Sequence, residues 1–558
     1  MIPIHAIIRG IFGVILLITL FSNILLVHLN NRELSRTSRA GRRLRLICYG
    51  YLIFTIIGML GMFLGNGYIS DSYSNDNVIG YFVVYFSYFG LLAFGAAIAY
   101  LDIRNLNNEG TWGNGQEFEP IQSEMPASMR KMLRGLARVL GCSYLISGIY
   151  LAYLPLSGVS VVDLKSQIGG IIGLINGGIG ILVAQFALFL ALINLSVTII
   201  LLKLADIKER RGCYYAVAII GLMLTGIFIL PVSLTPYTIY SAEKNFTHAF
   251  GESWRAEIHQ DAEKYFLKSR FSIPGYFLGT PPEKCRIIRD VKFYDGEGIK
   301  LHFDAYMPLD GGNGLPGENS TLIRIHGGGW VGGNKGSDNM MQVNKYFAAQ
   351  GYVVFDIQYG LSNMNNVKMT PFAKVFKGVF HKANYLRGDF DVDDMVRHIG
   401  IFTKYLSDHW EEYGANLDSV FISGGSAGGH LACAVALAIN NESYADMFSS
   451  HLKIKGLIPF YPPNGLQSDL LTGSPGLLDP EMLVEEDSPP CLVFHGTSDG
   501  WVPPRVTKSL KNKYTSKNNR ECAILWMPLG GHACDSYFSG YYNQVFLYYM
   551  ERFLYLYH

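Results

Sequence analysis

Ser426 lies at the apex of Gly424, Gly425, Ser426, Ala427 and Gly428, between an apolar β-branched run, DSVFIS, and a run of small residues, GGHLACAVALAI. That order predicts a strand, a sharp turn and a helix with a hydroxyl exposed at the bend, the context in which a GxSxG match marks an activated serine. A serine hydroxyl is a poor nucleophile in water and needs a base and an oxyanion site within reach. Candidates for both are present. About a hundred residues upstream, TLIRIHGGGW reads as a strand entering His326, Gly327, Gly328, Gly329 and Trp330, where consecutive glycines let backbone N–H groups approach a substrate oxygen. Downstream, the strand CLVFHG leads to Thr497, Ser498 and Asp499, and the strand CAILWMP leads to Gly530, Gly531 and His532.

Taken singly each piece is weak. A GxSxG match is common by chance, three glycines make an ordinary tight turn, and an Asp or His after a strand is usually a loop residue. Their order, Ser then Asp then His, each just past a strand's carboxyl end, is not a set of independent accidents. The motifs HGGGW, GGSAGG, HGTSDGWVP and GGHA, over roughly residues 270 to 558, resemble those of the hormone-sensitive-lipase-like branch of the α/β-hydrolases, which includes arylacetamide deacetylases and microbial carboxylesterases. The resemblance implies Ser426 as nucleophile, His532 as general base and then acid, and Asp499 as the group that orients His532. It also implies an oxyanion hole from the amides of Gly327, Gly328 and Ala427, with Gly329, Trp330 and Gly425 near the substrate. Two positions depart from the family. Gly425 stands where the family has Asp, and Tyr359, Gly360 and Leu361 stand where it has a tyrosine-arginine-leucine strand end.

The elements that must position these residues fall into two unlike halves. Of 558 residues 49% are hydrophobic and 16% charged, below the usual quarter for soluble proteins, and the deficit lies before residue 237. Apolar stretches of about 20 residues, enough to cross a bilayer, occur near 6–28, 46–68, 79–101, 138–158, 178–202 and 214–236. The expectation is an α-helical transmembrane bundle of six helices over 1–236, a helical bridge or cap over 237–280, and an α/β-hydrolase domain over 281–558. Eight β-rich segments, with helices between the later ones, predict an eight-stranded, mostly parallel sheet with helices on both faces.

Basic residues mark the odd loops: Arg32, Arg36, Arg39, Arg42, Arg43 and Arg45; then Arg104, Arg130, Lys131, Arg134 and Arg138; then Lys203, Lys208, Arg210 and Arg211. Lys165 is the single cation of the even loops. By the positive-inside rule the N-terminus and the hydrolase domain lie on the extracytoplasmic side, at the cell surface or in the endoplasmic reticulum lumen. The first apolar stretch is too long for a signal peptide and lacks a small-residue cleavage site, so it reads as an uncleaved helix. Sequons at Asn245, Asn319 and Asn441 agree with that side, whereas Asn194 falls inside a span. Cys285, Cys433, Cys491, Cys522 and Cys534 read mainly as buried free thiols, with room for one or two disulfides.

The spans carry almost no ionisable residue away from their ends, which disfavours an ion-coupled transporter. Gly61 and Gly65, and Gly169, Gly173 and Gly177, have the spacing of close helix packing, more simply within the bundle than at a dimer face. The run 169–202 exceeds one span, so its glycine-rich start is a surface helix, a re-entrant piece or a protruding end. An insert near 362–390 carries Phe372, Phe376 and Phe380 with Lys374, Lys377, Lys382 and Arg387. Such a helix suits either a lid on the membrane surface or packing on its own domain.

The sequence contains no metal-ligand spacing, dinucleotide or P-loop fingerprint, or nucleic-acid module, and its net charge is +1. No cofactor is expected. The partners expected are a small-molecule or lipid ester and the bilayer. The chemistry expected is hydrolysis of carboxylic esters, with acyl transfer or deacylation by the same residues as an alternative. The rival of another kind is a non-catalytic membrane receptor or scaffold with a hydrolase-like binding domain.

Overall fold

The computed structural model describes residues 39–70, 79–80, 82–87, 90–91, 126–157, 176–181, 183–204, 211–280, 284–336, 340–365, 385–466 and 470–558. Its centre is an eight-stranded sheet of β1 (Arg286–Gly296), β2 (Ile299–Met307), β3 (Ser320–Ile325), β4 (Val353–Ile357), β5 (Asn416–Gly425), β6 (Ile454–Phe460), β7 (Cys491–Gly496) and β8 (Cys522–Met527). The spatial order is β1-β2-β4-β3-β5-β6-β7-β8. β1 and β2 pair antiparallel, as do β2 and β4, and from β4 onward every pair is parallel. These eight strands are the eight β-rich segments of the sequence.

Because side chains alternate along a strand, each inner strand feeds two cores. Val420 and Ile422 of β5 point to one face with Val353, Phe355 and Val493, while Phe421 points to the other with Val354, Leu492 and Phe494. Inner strands buried on both faces read as continuous apolar runs, which is why they were recognisable. The first face is covered by α8 (Val392–Tyr413), α9 (Ala427–Ala438) and α10 (Pro504–Ser516). The second is covered by α7 (Met340–Ala349) and α11 (Tyr541–Tyr557).

Ahead of the sheet stand α1 (Arg39–Ser70), α2 (Ala127–Ser157), α3 (Ala187–Leu204), α4 (Arg211–Ser233), α5 (Thr235–Phe250) and the short α6 (Ile273–Leu278). Among the described residues four helical stretches are long and apolar enough to cross a membrane: Leu46–Asn66, Lys131–Ser157, Ala187–Leu204 and Arg211–Phe250. They coincide with the second, fourth, fifth and sixth expected spans. The first, at 6–28, lies outside the described residues, and the third is described only in part.

Polar residues inside these helices serve packing. Asn194, the sequon within a span, donates from Nδ2 to the Gly221 carbonyl (2.8 Å) and Thr225 Oγ1 (2.8 Å), tying α3 to α4. Gly61 and Gly65 pack α1 closely on residues 82–87, since a Cβ on Gly61 would lie 2.6 Å from Ser87 Oγ and one on Gly65 2.8 Å from Val84 Cγ2. Gly177 differs from that expectation, because it packs on the sheet-bearing half. Gly169 and Gly173 lie outside the described residues.

The bridge extends α4 directly. Amides at Leu234 and Thr238 continue the helical ladder across the junction of α4 and α5. α5 then lies along β8, where Asn245 Nδ2 donates to the Ile524 carbonyl (3.1 Å). Covering an edge strand this way removes a row of unpaired backbone groups. The same bond occupies the carboxamide of the Asn245 sequon. At Asn319, Oδ1 accepts from the Gly312 amide (2.7 Å) and Nδ2 donates to Asn313 Oδ1 (3.0 Å). All eight cysteines are free thiols. Phe372, Phe376 and Phe380 lie outside the described residues; the ends of their insert are pinned where Leu361–Ser362 pairs in parallel with Arg387–Gly388.

Candidate active site

Ser426 terminates β5 in a conformation that only a packed turn can hold: φ is 55° and ψ is −121° for a residue with a side chain. Its amide donates to the Phe460 carbonyl (3.0 Å), and its carbonyl accepts from the His430 amide (3.0 Å) at the start of α9. Gly428 is required because a Cβ there would overlap the carbonyls of Ile325 and His326. The helix therefore leaves the strand at close quarters and lifts the serine hydroxyl above the sheet.

The loops after β7 and β8 bring two more groups to that point. Ser498 N donates to the Gly530 carbonyl (2.9 Å), locking the two loops together. His532 Nδ1 donates to Asp499 Oδ2 (2.8 Å), and Ser426 Oγ lies 2.9 Å from His532 Nε2, its hydrogen aimed at that nitrogen. The tautomer follows from the partners, since a carboxylate accepts and fixes the proton on Nδ1. Asp499 Oδ1 accepts from the amides of Trp501 (2.9 Å) and Val502 (2.8 Å). Burial alone would raise this carboxyl, but His532, His495 and the Val502 amide together hold it below the usual carboxylate range. Beneath it His495, lowered by burial, keeps Nε2 at the Val502 carbonyl (2.9 Å) and 3.5 Å from Asp499 Oδ2.

Gly327 and Gly328 follow β3 on the other side of Ser426. Among the described residues their amides donate to no backbone carbonyl, and a Cβ on Gly327 would lie 2.9 Å from the Gly425 carbonyl. Ala427 opens α9, where the first amides of a helix have no partner within it. Gly327 stands beside the serine, since a Cβ on it would lie 3.5 Å from Ser426 Cβ. His326 beneath it is buried and pushed down to about 4, so it is a neutral support, stacked 4.5 Å from the Tyr359 ring, whose hydroxyl donates to the His326 carbonyl (3.1 Å). Tyr359 thus steadies the glycine loop from the end of β4.

Trp330 is held within the fold. It is 3% exposed with φ of 61°, and its Nε1 donates to His430 Nδ1 (3.2 Å), which makes it a brace between the glycine loop and α9. Gly329, also at positive φ (60°), supplies the turn just before it. The space beside Gly425 is taken by the Tyr461 hydroxyl, 3.1 Å from where a Cβ would sit. That hydroxyl donates to Asp535 Oδ1 (2.7 Å), and the Tyr461 ring lies 4.5 Å from the His532 ring. Tyr461, with φ of 37°, and buried Asp535 were not singled out from sequence, because they sit on separate loops and match no motif. Tyr461 stands in the volume that an Asp at 425 would need. Among the described residues no group of three His, Cys, Asp or Glu side chains is arranged to hold a metal ion.

Residues 322–479 match the family described as alpha/beta hydrolase fold. Together with the sheet order, this identifies an α/β-hydrolase domain. Among curated proteins the chain is 24% identical over 284 residues to a probable carboxylic ester hydrolase, LipM, of Mycobacterium tuberculosis, covering 46% of this chain and 59% of the relative. It is 21% identical over 274 residues to a probable isoprenylcysteine alpha-carbonyl methylesterase, ICMEL1, of Arabidopsis thaliana, covering 44% and 50%. The chain thus spans little more than half the length of these relatives. Among solved structures, apo esterase 2 of Thermogutta terrifontis aligns with a TM-score of 0.35 at 21% identity, over 49% of this chain and 91% of that one.

Proposed function

We propose that this protein is a membrane-bound serine hydrolase of carboxylic esters. The observation that carries the reading is the chain of hydrogen bonds from Ser426 through His532 to Asp499, at the ends of three parallel strands with the serine held at positive φ. Ser426 Oγ attacks the ester carbonyl while His532 Nε2 takes its proton, and Asp499 stabilises the imidazolium without accepting the proton itself. The developing oxyanion is met by the amides of Gly327, Gly328 and Ala427. Collapse expels the alcohol, protonated from Nε2, and leaves an acyl-serine. Water, deprotonated by the same nitrogen, then releases the acid. The names of the two curated relatives, both esterases, support this chemistry. A domain that only binds has no physical need for a strained serine held against a buried imidazole.

The apolar helices serve as the anchor in this reading, and the basic residues at Arg39–Arg45 and Lys203–Arg211 support a hydrolase domain on the extracytoplasmic side. In sealed membranes of known sidedness, protease added to the extracytoplasmic face should then degrade the domain and protease added to the cytoplasmic face should not; the opposite pattern would reverse the topology. The chemistry is tested by labelling native membranes with a fluorophosphonate: wild type should label and Ser426→Ala should not. A well-folded wild type that stays unlabelled would overturn the assignment.

A further inference from the structure

The two loops that carry Asp499 and His532 are in direct contact with the apolar helices. Ser498, next to Asp499, donates from Oγ to the Pro155 carbonyl (2.7 Å) in the last turn of α2. That carbonyl is one of the four that a helix end leaves without an internal partner. Residues 176–181 and 183–185, helical ahead of α3, lie against both loops. A Cβ on Gly177 would overlap the indole of Trp501, and that indole sits 5.1 Å from the His532 ring. A Cβ on Gly531, beside His532, would lie 3.0 Å from the Gly180 carbonyl. Buried Gln185 accepts from the Tyr537 amide (2.8 Å) through Oε1, and its own carbonyl accepts from the Tyr276 hydroxyl (2.9 Å). Tyr541 donates to the Ala184 carbonyl.

These contacts set the depth of the site. Pro155 lies within the candidate span Lys131–Ser157, and Gly180 precedes the span Ala187–Leu204 by seven residues, about 10 Å of helix. A soluble ester needs no such placement. An amphiphile whose ester group sits at the polar boundary of the bilayer, with its chain in the hydrocarbon, meets Ser426 at that depth. On α2, Ile149 (51%), Tyr153 (53%) and Leu156 (50%) present an exposed apolar strip that leads to the Ser498 contact.

We infer that residues 176–181 and 183–186 and the end of α2 form a wall of the active site, and that the substrate is an amphiphilic ester taken from the bilayer. This rests on the ester-hydrolase reading of the same site. Trp501, pressed between Gly177 and His532, is the positioning residue through which the wall acts.

The test uses the full chain in phosphatidylcholine vesicles with two probes, a fluorogenic oleate ester that partitions into the bilayer and the matching acetate that stays in water. At constant bulk concentration, hydrolysis of the oleate should fall in proportion as phospholipid dilutes it, while hydrolysis of the acetate should not change. In the same system Gly177→Ala should lower kcat on the acetate by about tenfold with KM unchanged, because the indole is pushed against the imidazole. In a Trp501→Ala background, where the methyl group has room, Gly177→Ala should cost nothing further, whereas additive losses would overturn the contact. Acetate turnover and Ser426 labelling without turnover of the bilayer ester would overturn this inference alone. Absence of labelling would overturn the ester-hydrolase reading and this inference with it.

Discussion

Asp499→Asn tests the proton path with a minimal change in shape. Asp499 Oδ1 already accepts from the Trp501 and Val502 amides at 2.9 and 2.8 Å, and both are donors. An asparagine at 499 must therefore keep its carbonyl oxygen on that side and turn its NH2 toward His532 Nδ1. An NH2 is a donor only, so Nδ1 becomes the acceptor and the ring proton moves to Nε2. Nε2 then carries a hydrogen toward Ser426 Oγ, 2.9 Å away, and cannot accept the serine's proton. In the serine-protease template the same exchange costs about 10⁴ in kcat, or about 5.5 kcal/mol of transition-state stabilisation. The assay is kcat and KM on a short soluble ester, with the rate of fluorophosphonate labelling as an independent measure of serine activation. Both rates should fall by a similar factor with KM little changed. Activity within tenfold of wild type would refute the assignment of Asp499 as the group that sets the tautomer.

Tyr461→Phe removes the 2.7 Å donor to Asp535 while keeping the ring against His532, and should lower kcat by about tenfold at constant KM, as expected for a lost hydrogen bond to a charged group; an unchanged kcat would make the pair purely structural. Gly428→Ala forces a methyl group onto the Ile325 and His326 carbonyls, so expression trials should yield misfolded or inactive protein, and a variant of wild-type activity would contradict the turn. His430 is pushed down to about 4 by burial; the unfolded chain takes up its proton first, so the stability this residue contributes is complete above about pH 6.5 and is lost as pH falls toward 4, by on the order of 3 kcal/mol. Thermal unfolding in detergent at pH 7 and 4.5 should therefore show a smaller pH penalty for His430→Gln than for wild type. Asn194→Leu removes both bonds from α3 to α4, and should destabilise the helices by about 1 kcal/mol, read as a lower melting temperature in detergent.

The sequence by itself determined the sheet and the residues at its carboxyl ends. Eight apolar runs became eight strands because doubly buried strands leave an unbroken hydrophobic signal, and glycine-flanked Ser426 and His532 are local features written in adjacent residues. The helices at 46–66, 131–157, 187–204 and 211–250 were recognisable for the same reason, since length and apolarity are local properties. Other features join residues far apart in the chain and leave no local trace. Tyr461 meets Asp535 across 74 residues, and Ser498 meets Pro155 across 343. Trp330 of HGGGW finds its partner, His430 on α9, 100 residues away. Gly177 looked like a helix-packing residue, yet the surface it fits is the Trp501 indole. Pattern in one dimension specifies which residues prefer burial, a bend or a bilayer; which surfaces then meet depends on the folded arrangement, and that arrangement brought the loops of Asp499 and His532 against Pro155 and Gly177.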